Sequence, residues 1–286
     1  MEPIFDRRLI ALRRHRAAPR VAGVAPILHA AAELLLDRLD DTTRSFGRAL
    51  DIGGRGVVAP LLRGRGVGQV VCMDLSARMA ARSGGSPVAG DEEWLPFAEG
   101  SFDLVVASLS LHTVNDLPGA LVQIRRAMAP DGLFLASLPG LGTLHGLREA
   151  LAAAEAGLRG GAAPRVSPFP DLRDLAGLLQ RAGFALPVAD RESLPLRYAT
   201  PMGLVRDLRV AGEQAALVQR DRRVPPRALF PLALGAAPLD FALPLLVMTG
   251  WAPHKSQPRP APRGSAQARL ADALGTVERP AGEKAG

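Results

Sequence analysis

The stretch Arg48-Ala49-Leu50-Asp51-Ile52-Gly53-Gly54-Arg55-Gly56 constrains this chain more than any other. A short apolar run that stops on clustered glycines must turn there, because glycine weakens both strand and helix and frees the backbone for tight geometry. The same plan recurs. Residues 69–73 form a second apolar run ending at Asp74, and residues 103–109 form a third around Leu104-Val105-Val106. A fourth, 133–138, follows the turn Pro130-Asp131-Gly132. Between these runs lie helical spacings. Ile27, Leu28, Ala31, Leu34, Leu35 and Leu39 share one face of a helix over 26–39, and 116–128 reads as another. Strands alternating with helices imply βαβ units. Right-handed crossovers then give an α/β fold with a mostly parallel, doubly wound sheet and helices on both faces. Helices are also expected at 143–158 and 171–182, with late strands at 188–196 and 243–250 and helical material between them.

Composition narrows the function. Hydrophobic residues make up 48% and aromatics only 4%, so the core must be built from Leu, Val and Ala. The single cysteine, Cys72, sits in Val70-Val71-Cys72-Met73 and reads as a small buried hydrophobe, which excludes an internal disulfide and disfavours a thiolate metal site. The histidines form no His-x-Asp or His-x-Glu pair, so no metal centre is expected. The net charge of +7 is almost all arginine, scattered without a run of five and without interleaved aromatics, so no nucleic-acid partner is expected. Residues 228–250 are apolar but broken by Pro231, Pro238, Asp240 and Pro244, a poor transmembrane segment. Peripheral association with a membrane surface stays open. The expected location is the cytoplasm of a bacterium, or the matrix side of a mitochondrion. The chain divides into an N-terminal helical segment (1–40), a main domain (41–255) whose ligand-binding half spans about 45–140, and a Pro/Ala/Arg/Gly-rich tail (256–286) expected to be disordered.

Open α/β sheets bind ligands at the carboxyl ends of their strands. Four features fall there in order. The turn Gly53-Gly54-Arg55-Gly56 brings backbone and a helix N-terminus toward a ligand. Asp74 follows the second strand, 23 residues after Asp51. Asp91 and Glu92 lie in Gly90-Asp91-Glu92-Glu93-Trp94-Leu95-Pro96-Phe97, and Ser108 to His112 follow the next strand. Each has a plainer reading: a structural strand–turn–helix, an N-cap at Asp74-Leu75-Ser76, a packing histidine. In this order they match a methyltransferase site for S-adenosyl-L-methionine. Asp51, Gly53, Gly54 and Gly56 then surround the methionine part. Asp74 and Leu75 take the ribose, and Asp91 and Glu92 the adenine rim. Ser108 and His112 face the substrate and are the candidates for catalysis. This reading requires the carboxylates to share one cleft and the turn to be clear of its own side chains.

The segment 91–97 and Ser108-Leu109-Ser110-Leu111-His112-Thr113-Val114-Asn115-Asp116-Leu117-Pro118 resemble the methyltransferase-fold assembly factor of respiratory complex I and its bacterial relatives. So do Ile4-Phe5-Asp6-Arg7-Arg8-Leu9, Ser167-Pro168-Phe169, Leu175 to Phe184, and Gly250-Trp251-Ala252-Pro253-His254-Lys255-Ser256-Gln257. The resemblance covers most of 4–265; the malonyl-carrier methyltransferase of biotin synthesis is more distant. It implies a Rossmann-like class I methyltransferase fold, S-adenosyl-L-methionine as cofactor, and a protein substrate such as a complex I subunit. The family's mitochondrial member is associated with arginine hydroxylation, and bacterial relatives are described as methyltransferases. Three activities are therefore implied: methyl transfer of the type 11-like kind, arginine hydroxylation on the same fold, and non-catalytic assembly chaperoning. Two departures stand out. The family pattern Asp-x-Gly-Cys-Gly-x-Gly is one residue shorter here, and Thr113 replaces a frequent tryptophan. Residues 251–257 are expected to shape the pocket, dock a partner or simply pack.

Overall fold

The computed structural model describes residues 2–258, 271–272 and 275–276. The expected disordered tail falls almost wholly outside them. The chain separates into a unit over Met1–Pro253 and a second over His254–Gly286; all that follows concerns the first.

In chain order the elements are α1 (Arg7–Ala17), α2 (Ala25–Asp40), β1 (Arg48–Ile52), α3 (Val58–Gly64), β2 (Gln69–Asp74), α4 (Ala77–Ala80), β3 (Ser86–Ala89) and β4 (Phe102–Ser108). They continue with α5 (Leu117–Ala127), β5 (Met128–Pro139), α6 (His145–Arg159), α7 (Leu172–Arg181), β6 (Ala185–Arg197), α8 (Pro201–Ala211), α9 (Leu229–Ala236) and β7 (Asp240–Trp251). The sheet has the order β3-β2-β1-β4-β5-β7-β6. Strands β1 to β5 pair in parallel, and β7 runs antiparallel between β5 and β6.

Alternation along the central strands divides the core between the two faces. Leu50, Ile52, Val105, Ala107, Phe134 and Ala136 point to the side covered by α5 and α7. Ala49, Leu104, Val106, Leu133 and Leu135 point to the side covered by α2 and α3. Both faces are buried, so the strands read as continuous apolar runs rather than alternating ones. Cys72 packs on the second face, and burial pushes its thiol up to about 11, as befits an inert small hydrophobe.

Three elements escape the sequence pattern. Strand β3 is four residues long and contains Pro87, features of a protected sheet edge. Strands β6 and β7 are longer than their apolar centres. Their pairing runs on from Ser193↔Pro244 to Arg197↔Asp240, past Leu245, which pairs with Pro139 at the end of β5. This two-stranded arm projects beyond the carboxyl edge of the sheet. The apolar stretch before it becomes α9 and β7 instead of a span. Among the described residues no single helix is long and apolar enough to cross a membrane, though α1 with the segment Val21–Asp40 passes by length and composition as a pair bent by 92°.

Candidate functional site

The strand order reverses between β1 and β4, so their carboxyl ends open a crevice at the switch point, where α/β sheets bind ligands. The glycine turn leaves β1 and the segment after Ser108 leaves β4; the two meet there. Gly53 has φ +68°, and a Cβ on it would lie 2.6 Å from that of Ser110. A Cβ on Gly54 would overlap the Asp51 carboxylate. These glycines are thus demanded by the protein's own packing, whatever else they serve.

Asp51 is 1% exposed, and neither carboxylate oxygen has a hydrogen-bond partner. Burial pushes it up to about 7, the nearby charge of Asp74 adds to this, and the Gly54 and Ala59 amides oppose it only from outside hydrogen-bonding geometry. Asp74 ends β2; its Oδ1 accepts from the Ser76 amide at 2.9 Å, and Ser76 in turn caps α4. Asp91 accepts from the Glu93 amide at 3.0 Å and from Arg7 at 2.6 Å. Glu92 is fully buried, pairs with Arg7 through Oε2 and leaves Oε1 unpartnered.

Ion pairs tie Asp91 and Glu92 to Arg7 and Asp74 to Arg14, and Asp51 lies close enough to Asp74 to feel its charge, but the turn is not clear. Arg7 and Arg14 lie seven residues apart, two turns along one face of α1. Arg14 enters the cleft and its Nη1 donates to Asp74 Oδ2 at 2.8 Å; both side chains are at most 2% exposed. Arg14 Nη1 also lies 3.0 Å from where a Cβ on Gly53 would stand. From the turn itself comes Arg55, with φ +51°, whose Nη2 donates to the Leu109 carbonyl at 3.0 Å and pairs with Glu213. Glu213, just after α8, also takes His112 Nε2 at 2.9 Å. Burial opposes ionisation of Glu213, but Arg55, His112 and Arg14 together hold its carboxyl well below the usual range. Burial likewise favours neutral Arg14, and the charges of Asp74, Glu213 and Glu92 outweigh it, raising its pKa. For Arg55 burial wins and the pKa falls.

Beyond the arginines lies a cavity of about 350 Å³. Its floor is Arg14, Arg55, His112 and Glu213; its walls are apolar side chains of α2, α6, α8 and the β6–β7 arm, with Phe169 beside His112. Of the predicted site residues only His112 reaches it. Asp51, Asp74, Asp91, Glu92, Gly53, Gly54 and Gly56 stand behind the guanidinium groups, and Ser108 is buried beside Ser137. Leu75 packs against Phe5, Ile10 and Leu217. Trp251 pairs with Leu133, midway along β5, and packs against the core on the α2–α3 face, away from this cavity. Arg7, Arg14, Arg55 and Glu213 escape prediction. Only Arg55 carried a signal, as the one bulky residue in the turn.

A parallel sheet closed by an antiparallel β7, with acidic residues at successive strand ends, is the class I methyltransferase architecture. The chain belongs to the methyltransferase domain family, whose profile matches residues 24–187. It is 39% identical over 252 residues to the mitochondrial arginine-hydroxylase NDUFAF5 of Danio rerio, covering 82% of this chain and 78% of that one. The human counterpart is 36% identical, over 98% of this chain and 86% of its own. The malonyl-[acyl-carrier protein] O-methyltransferase of Halorhodospira halophila is 35% identical, over 76% and 75%. The fold is shared with the YcgJ protein of Bacillus subtilis (TM-score 0.54, 17% identity, 79% of this chain and 99% of that one).

Proposed function

We propose that the chain is an S-adenosyl-L-methionine-dependent methyltransferase that modifies a protein. The observation that carries this is the set of buried polar atoms without partners around one turn: both Asp51 oxygens, Glu92 Oε1, Ser110 Oγ, and the Nε atoms of Arg14 and Arg55. Unpartnered buried polar groups are costly, and each calls for an explanation. Acceptors and donors mixed in this way fit a zwitterionic amino-acid end and a ribose. Asp51 would hold the ammonium, Asp74 the ribose hydroxyls, and Asp91 with Glu92 the adenine rim. Leu75 and Ser108 are left to the margins of that site. The cofactor supplies an electrophilic methyl group on a sulfonium. The chain's own part is to align a nucleophile from the cavity with it and to take up the nucleophile's proton, for which His112, held through Nε2 by Glu213, is placed on the cavity floor. Arg55 and Arg14 must shift for this site to load.

A second reading is arginine hydroxylation on the same fold, favoured because relatives named for that activity align over 82% and 98% of the chain. The family resemblance points to a respiratory complex I subunit as the protein substrate in either case, in the cytoplasm of a bacterium or the mitochondrial matrix. Titration calorimetry with S-adenosylmethionine tests the cofactor, with a single saturable site expected. Mass spectrometry of complex I subunits from a deletion strain separates the reactions: a missing +14 supports methylation and a missing +16 hydroxylation. Loss of neither, with no cofactor binding, refutes both and leaves an assembly chaperone.

A further inference from the structure

The one bulky side chain in this turn carries two costs. Arg55 adopts φ +51°, a left-handed conformation disfavoured for residues with a Cβ and free for glycine. Its guanidinium is buried with Nε unpartnered. Glycine at this position would make the same turn without either. What Arg55 gains is a fixed place: Nη2 meets both the Leu109 carbonyl and Glu213, spanning from the turn after β1 to the segment after α8. Glu213 itself is shared, one oxygen to Arg55 and the other to His112.

We propose that Arg55 is an internal competitor for the place of the cofactor's methionine end, latched in the turn by Glu213, and a determinant of cofactor affinity in this chain. Cofactor entry breaks the Arg55–Glu213 pair and leaves Glu213 to His112 and the cavity. Loading of the turn therefore frees Glu213 at the cavity floor and couples the two sites. The proposal rests on the adenosylmethionine reading above.

Calorimetry with S-adenosylhomocysteine on the full chain tests it. Arg55→Gly removes the latch and the backbone strain together, so the variant should fold, which far-UV circular dichroism and a melting curve check. Its affinity is expected to exceed wild type by tenfold or more. Glu213→Gln weakens the latch while leaving Arg55 in place, and should raise affinity by a smaller factor. Equal or weaker binding by Arg55→Gly than by wild type overturns the latch and leaves the cofactor reading standing. If neither protein binds the nucleoside, the cofactor reading falls and the latch with it. Tighter binding by Arg55→Gly but weaker binding by Glu213→Gln overturns Glu213 as the holder.

Discussion

Asp51 offers the most exposing test of the site, because its environment makes it expensive for the folded chain. A carboxyl raised from 3.8 to about 7 by burial carries roughly 4 kcal/mol, at roughly 1.4 kcal/mol per tenfold. The folded state holds the Asp51 proton over a range where the unfolded chain has already released it. Its contribution to stability is therefore fully present below pH 3.8 and is lost as pH rises through about 7. Above that, the folded chain must bury an unpartnered anion. Asp51→Asn keeps the shape and cannot ionise. Urea unfolding of both proteins at pH 5, 6, 7 and 8 should show the variant gaining on wild type as pH rises, by about 2–4 kcal/mol at pH 8. The same substitution should weaken S-adenosylmethionine binding by tenfold or more, since an amide is a poor partner for an ammonium. A variant that loses stability at pH 8 relative to wild type would show that the carboxylate is already satisfied, and the reasoning would fail.

Other perturbations should behave as the contacts dictate. Arg14→Ala strands Asp74 as a buried, unpaired carboxylate and should cost about 3–5 kcal/mol, measured by urea unfolding. Asn115→Ala removes the acceptor for the Ile4 and Phe5 amides, each at 2.8 Å, and the donor to the Phe5 carbonyl; amide hydrogen exchange over residues 2–6 should accelerate while the sheet stays protected. Phe134→Ala deletes a fully buried ring from the central strand β5 that stacks on Phe184 at 5.1 Å, and should cost about 3–5 kcal/mol in the same assay.

The central fold was legible because its strands are buried on both faces and end on sharp signals. Gly53 and Asp74 mark strand ends that the structure places within a residue, whereas Pro130-Asp131-Gly132, expected as a turn ahead of a strand over 133–138, lies inside β5 (Met128–Pro139). The edges were not: β3 is too short to carry a pattern, and the outer parts of β6 and β7 are half-exposed and contain Pro195 and Pro244. The carboxylates proposed for the site could be named from the sequence because each follows a strand end, and a parallel sheet sets those ends along one edge. Their counter-ions could not, since Arg14 and Glu213 come from a preceding helix and a late loop, brought together across 199 residues of chain with no local spacing to betray it. The turn's clearance was the expectation that failed, and Arg55 is why.

That failure has an electrostatic logic. Asp51, Asp74, Glu92 and Glu213 lie close enough to perturb Arg14, Arg55 or one another in a water-poor cleft, where like charges repel strongly. The chain answers with Arg7, Arg14 and Arg55 and with an Asp51 carboxyl pushed up to about 7. A sulfonium cofactor brings a positive charge of its own, so cofactor and arginine are alternative counter-ions for the same carboxylates. The demethylated product, a neutral thioether, cannot replace Arg55 in this way. S-adenosylmethionine should then bind more tightly than S-adenosylhomocysteine, and the ratio should widen in Arg55→Gly, where Glu213 has lost its nearest cation. Competition calorimetry of the two nucleosides measures that ratio. An unchanged or smaller ratio in the variant would mean that the carboxylates do not sense the sulfonium, and that Arg55 blocks the turn by its bulk alone.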